Sequence, residues 1–169
     1  MTSAYLRGQE LVDAIQSSSY SRDLIGYHGQ VPHAQWPNQA KIAVQFVLNY
    51  EEGGENHVEH GDLGSEQFLS EIVGAASFNA KHMSMDSMYE YGSRAGFWRI
   101  HQEFQKRGLP MTIFGVGMAL ARNPYVVEAI QQAHYDVVSH GQRWLHYQHI
   151  DIDTERQHMD QAISVLEAL

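Results

Sequence analysis

Three short apolar runs, each delivered into a turn and followed by a helical pattern, restrict this chain to a parallel α/β fold. Residues 41–48 (KIAVQFVL) are dense in β-branched and apolar side chains and too continuous for a sheet with one wet face. They predict a buried parallel strand, ending at a turn that Gly53 and Gly54 permit. A looser segment follows, with a short helix expected over residues 65–73. Residues 94–106 place Phe97, Ile100, His101 and Phe104 at spacings of three and four, one face of a helix that Gly108 and Pro110 stop. Residues 111–114 (MTIF) predict a second strand, and Pro124 opens a helix running to about Ala133. Residues 136–139 (DVVS) predict a third strand. The last helix starts near Asp151 or Asp153, either of which can cap it, and Met159, Ala162, Ile163 and Leu166 form its expected buried stripe. Strands alternating with helices are the pattern of a parallel sheet.

Three strands cannot close a barrel, which in its eightfold form takes roughly 250 residues. The sheet is then either small and open or part of a longer protein, such as an incomplete (β/α) barrel; the second is the expectation, and the open sheet edges make a homo-oligomer the expected state. Residues 1–40 predict an irregular arm over the body rather than a separate domain, and residues 41–169 the body itself. Within the arm a short helix is expected over residues 6–15, broken by Ser17, Ser18 and Ser19, with Pro32 and Pro37 keeping the rest extended.

Bulk chemistry narrows the function classes. The 169 residues carry a net charge of −9 with scattered basic groups, which argues against nucleic acid as a partner. No apolar run approaches a membrane span, and the first 20 residues carry Glu10 and Asp13 with no continuous apolar core of a signal peptide. A cytoplasmic protein is the expectation. The absence of cysteine excludes disulfides, thiolate metal sites and a cysteine nucleophile.

Ligand sites in parallel α/β folds gather at the carboxyl ends of strands. The first strand delivers Asn49, Tyr50, Glu51 and Glu52; the third delivers Ser139 and His140, with Arg143 and Trp144 just beyond. Two acids and a histidine at one mouth could form a general-base or metal site. An acidic pair after a strand is nevertheless more often a solvated loop, and a histidine at a strand end more often structural. Spacing alone leaves both readings open. His57 with His60 and His146 with His149 lack the flanking acid of a zinc helix motif, and Gly115 with Gly117 lacks the third glycine of a dinucleotide loop.

The stretch NYEEGGE at 49–55 sits where polysaccharide deacetylases carry a Thr-Phe-Asp-Asp-Gly motif, and VVSHG at 137–141 resembles the segment whose histidine binds their metal. More distinctive are VQFVLNYEEGGEN at 44–56, HMSM at 82–85, YEYGSRAGFW at 89–98 and RDLIG at 22–26. Together they resemble the allantoinase branch of that NodB-like superfamily, associated with purine breakdown, over the first half of its barrel. The resemblance implies a hydrolase that opens a cyclic amide, allantoin to allantoate. It matches Glu51 to the catalytic-base aspartate, Glu52 to the metal-binding aspartate and His140 to the first metal histidine. The second metal histidine falls on Trp144, and a catalytic metal usually keeps three protein ligands. The branch is thought to work without the metal, so no cofactor is expected; a weakly held divalent ion on Glu52 and His140 is the alternative. Glu51 is then the candidate base and His140 a proton relay or carbonyl polariser. Glu52, Trp144 and Arg94 are candidate substrate contacts, Arg94 having the alternative of capping its own helix, while Tyr89 and Tyr91 are expected to pack. A metal-dependent polysaccharide deacetylase and a noncatalytic fragment are the rival readings.

Overall fold

The computed structural model describes residues 5–169 except Leu69, Glu71, Val73, Ala75, Ala76 and Phe78. It divides into two units, Met1–Ala43 and Val44–Leu169. In the first, helix α1 spans Gly8–Ser17, two residues later than the sequence predicts. Its end is sealed by the hydroxyls of Ser17 and Ser18, which donate to the carbonyls of Asp13 and Ile15. These side-chain bonds compete with helix continuation, which is why the serine run stops it.

The second unit is built on a parallel sheet of β1 (Val47–Tyr50), β2 (Thr112–Gly115) and β3 (Asp136–Ser139), in the order β1-β2-β3. The register sets Leu48 beside Ile113 beside Val137, and Asn49 beside Phe114 beside Val138. Because side chains alternate along a strand, these two rows lie on opposite faces. Ile113 is 0% exposed and anchors a core with Val116, Leu120, Val126 and Ile130, against which Leu48 packs. The strand predicted over 41–48 pairs only from Val47, although the Phe46 carbonyl still accepts the Thr112 N–H at 2.9 Å. Apolar composition marks residues that suit a strand, but only a neighbour of matching length creates the ladder.

The helices of this unit depart from expectation in four places. Helix α2 (Met83–Tyr91) leads through a π-helical turn at Gly92–Gly96 into α3 (Phe97–Arg107), so the helix predicted from Arg94 starts eleven residues earlier. The His82 ring caps α2 by accepting the Met85 N–H at 3.4 Å. A short α4 (Gly117–Ala121) follows β2 directly, and α5 (Pro124–Gln132) starts at the predicted proline. The helix expected over 65–73 is irregular in its described residues, while Leu69, Glu71 and Val73 lie outside them. Helix α6 (Ile152–Ala168) is capped by Asp151, whose carboxylate accepts the N–H groups of Asp153 and Thr154. Of its predicted stripe Ala162 is buried and Leu166 meets the core, but Met159 and Ile163 are 59% and 53% exposed. Val137 and Val138 of β3 are likewise 44% and 43% exposed. Periodicity marks an apolar face without supplying what covers it. None of the described helices is long and apolar enough to cross a membrane.

Ile113 sits at the centre of the ladder with no exposed surface. Ile113→Ala is expected to lower the unfolding free energy by about 2–5 kcal/mol, checked by urea melts, through lost burial and the cavity left behind.

Candidate active site

The parallel ladder brings the ends of β1 and β3 level on either side of β2, and the alternation then selects which side chains meet. Glu51 continues the face of Asn49, and His140 continues the face of Val138. Their side chains touch: His140 Nε2 lies 2.7 Å from Glu51 Oε1. The imidazole is tilted against Phe114 with ring centroids 5.9 Å apart. Asn49 Nδ2 donates to the same Glu51 oxygen at 3.3 Å. Both bonds fall on Oε1, and neither engages Oε2.

The loops beyond the strands are locked by backbone bonds. Gly54 N–H donates to the Glu51 carbonyl at 2.9 Å, and the Gly54 carbonyl accepts the Trp144 N–H at 2.9 Å. A Cβ at Gly54 would stand 2.5 Å from Val116 Cγ1, so only glycine allows this approach. Trp144 is thereby hung beside the acids, edge-on to Phe68 at 5.6 Å and Tyr89 at 6.3 Å. Tyr89 is pinned in turn by its hydroxyl, which donates to the Phe68 carbonyl at 2.6 Å. Glu51, Glu52, Glu55, Phe68, Tyr89 and Trp144 together line a cavity of about 130 Å³.

Charge around this cavity is divided by environment. Burial pushes the Glu52 carboxyl above the usual carboxylate range, against the Glu51 N–H that bonds it, and the charges of Glu51 and Glu55 push it further. The Tyr89 phenol is pushed far up by burial and by Glu66, Glu55 and Glu51, so it stays neutral. Behind the loop, Arg143 donates to Asp62 and to the Glu55 carbonyl. Burial works against the Asp62 charge, but the Arg143 guanidinium and the His57 N–H outweigh it and hold the carboxyl below its usual range.

The predicted residues separate into two groups. Glu51, Glu52, His140 and Trp144 come together at the strand ends. Arg94 does not join them: it lies in the π-helical turn, its guanidinium pairs with Glu90 Oε2 at 3.2 Å, and it does not line the cavity. The pairs His57/His60 and His146/His149 bring their rings to 5.6 and 6.2 Å. His57 Nδ1 accepts the Glu59 N–H and its Nε2 faces Asp86 at 3.3 Å, while His60 Nε2 meets Arg122 at 3.0 Å. Tyr89, expected only to pack, forms a cavity wall. Phe68 was invisible in the sequence because no periodicity surrounds it.

A divalent ion does not fit the donors present. Among the described residues no three His, Cys, Asp or Glu side chains converge for one. His140 Nε2 is engaged by Glu51, and the indole at 144 has no lone pair to offer.

Residues 79–169 match the family model described as polysaccharide deacetylase. A Schizosaccharomyces pombe (strain 972 / ATCC 24843) protein whose name places it among polysaccharide deacetylases is 42% identical over 150 residues, 87% of this chain and 47% of its own length. The crystal structure of PuuE allantoinase is similar at a TM-score of 0.81 and 51% identity, covering 89% of this chain and 50% of that one. A probable polysaccharide deacetylase from Pseudomonas aeruginosa PAO1 is similar at a TM-score of 0.81 and 53% identity, covering 88% of this chain and 50% of that one. The chain thus spans about half the length of the relatives it matches.

The Asp62–Arg143 pair generates a pH signature. A carboxyl whose folded pKa is depressed contributes stability above its unfolded value, and that contribution is lost as pH falls through the folded one. Asp62→Asn is expected to cost about 2 kcal/mol at pH 7. The gap to wild type should close below about pH 4, read from thermal melts across pH.

Proposed function

Because this chain belongs to the polysaccharide deacetylase family, we propose that it carries the water-activating side of a hydrolase site for a cyclic amide, with allantoin the substrate and allantoate the product. The observation that carries this reading is the 2.7 Å contact between Glu51 and His140 beside a small cavity walled by Trp144, Tyr89 and Phe68.

Amide hydrolysis without a metal needs a base for water and donors for the developing oxyanion. His140 Nε2–H and Asn49 Nδ2–H hold Glu51 Oε1, so Glu51 Oε2 takes a proton from the attacking water. The water oxygen bonds to the ring carbonyl carbon, the carbon–nitrogen bond breaks, and the proton held by Glu51 passes to the departing nitrogen. Atoms and charge balance over the cycle. Glu52, whose carboxyl is pushed up by burial, lines the same cavity and contacts a polar atom of the ring. The indole of Trp144 offers a flat face to a flat ureide ring.

The chemistry favours a cyclic ureide over an acetylated sugar chain, because the aromatic residue at 144 withholds the ligand that a metal-dependent deacetylase needs. The likeness to PuuE allantoinase supports the same choice, while the family model, the Schizosaccharomyces pombe relative and the Pseudomonas aeruginosa structure carry the deacetylase name. The full activity of an enzyme twice this length belongs to the proposal as well.

The purified chain should hydrolyse allantoin at a rate unchanged by a chelator. Glu51→Gln should lower kcat by about 100-fold or more, the usual worth of a positioned base. Full activity in Glu51→Gln would remove Glu51 from the mechanism. Activity on an acetylated sugar that needs added zinc would replace the reading with the deacetylase.

A further inference from the structure

Two glycines in the long helical segment, Gly92 and Gly96, are not explained by their backbone angles. Gly92 lies at φ −56°, ψ −55° and Gly96 at φ −61°, ψ −51°, both ordinary helical values at which alanine is the better helix former. They differ in what a side chain would meet. A Cβ at 96 would find its nearest atom, a Tyr91 ring carbon, at 3.6 Å, an ordinary contact. A Cβ at 92 would overlap Glu52 Oε1 and stand 2.7 Å from Glu52 Cδ. The carboxyl of Glu52 therefore fills the space a side chain at 92 would take. Its other oxygen is reached by the Glu51 N–H only at 3.4 Å, a long bond that fixes direction weakly. The bare backbone of the π-helical turn is what stops the carboxyl.

We propose that Gly92 is a positioning residue: by presenting no side chain it seats the Glu52 carboxyl between two cavities, and a glutamate can serve at 52 only with glycine at 92. The proposal rests on the reading of Glu52 as a contact to a cyclic ureide. The seat is shared, since Glu52, Glu55 and Tyr89 line both the cavity of about 130 Å³ and a second of about 310 Å³ bounded by Asp86, Arg122 and Asn123. A carboxyl displaced from this shared wall would move into one cavity and withdraw from the other. The clash is with the far end of a flexible side chain rather than with backbone, so the fold can absorb it while the site cannot. This separates a positioning role from a structural one.

Gly92→Ala and Gly96→Ala form a matched pair in the 169-residue chain. Three readouts apply: the melting temperature, the carboxyl ¹³C resonance of Glu52 (assigned by its loss in Glu52→Gln), and kcat with KM for allantoin. Gly96→Ala is expected to leave all three unchanged or raise the melting temperature. Gly92→Ala is expected to melt no lower than wild type, to shift the Glu52 resonance, and to lose about 100-fold in kcat, the scale of an ångström misplacement. Glu52→Asp in the Gly92→Ala background should recover part of that loss, because the shorter side chain withdraws the carboxyl. An unmoved Glu52 resonance in Gly92→Ala overturns the proposal. Should Gly92→Ala fail to fold, Glu52→Ala in its background decides: a recovered melting transition upholds the steric link, and no recovery overturns it. A wild-type chain without allantoin turnover would count against the functional reading, while the resonance still decides the role of Gly92.

Discussion

The parallel pairing of β2 with both neighbours sets the geometry on which everything else depends. Its N–H groups and carbonyls are shared between Val47–Tyr50 on one side and Asp136–Ser139 on the other, in one register. Strands that run the same way end on the same side, so the residues after β1 and β3 arrive at a common level. The continuing hydrogen bonds hold that level beyond the strands, with Val116 N–H on the Tyr50 carbonyl at 3.0 Å and His140 N–H on the Gly115 carbonyl at 2.9 Å. Glu51 and His140, 89 residues apart in sequence, meet for this reason. Burial of Ile113 holds the ladder in place, so the level at which Glu51 and His140 meet is set by the core.

Around that pair the molecule separates charge from neutrality within a short distance. Asp62 keeps its charge because Arg143 and a backbone N–H reward it, and the same guanidinium ties down the Glu55 carbonyl. Among the described residues no cation pairs with Glu52, and burial and the charges of Glu51 and Glu55 push its carboxyl up. Two carboxylic acids are thereby pushed in opposite directions, Asp62 down by its ion pair and Glu52 up by burial. Phe68 and Tyr89 stand edge-on to Trp144 in the cavity that Glu52 lines, and the Tyr89 hydroxyl donates its hydrogen to the Phe68 carbonyl.

Much of this was legible in the residues themselves, and the failures have identifiable physical causes. The parallel sheet, the third strand, the proline start of α5 and the Asp151 cap follow from patterns that local chemistry dictates. Helix α2 was missed because its serines, aspartate and tyrosines have little helix propensity; a histidine cap and the following turn carry it. The stripe on α6 was overcounted, since Met159 and Ile163 keep the right spacing and yet remain exposed. Phe68 and the Asp62–Arg143 brace carried no signal, because contacts across 76 and 81 residues leave no local period.

What the sequence determined by itself was the kind of fold and the roster of chemically able groups at two strand ends, because side-chain alternation and turn chemistry act between near neighbours. Which of those groups meet was decided by the tertiary structure. Glu51 reaches His140 because a third strand lies between theirs, Arg94 stays on its helix with Glu90, and Glu52 rests against Gly92. Each is an encounter between residues whose separation is closed only by packing, and packing is a property of the whole chain.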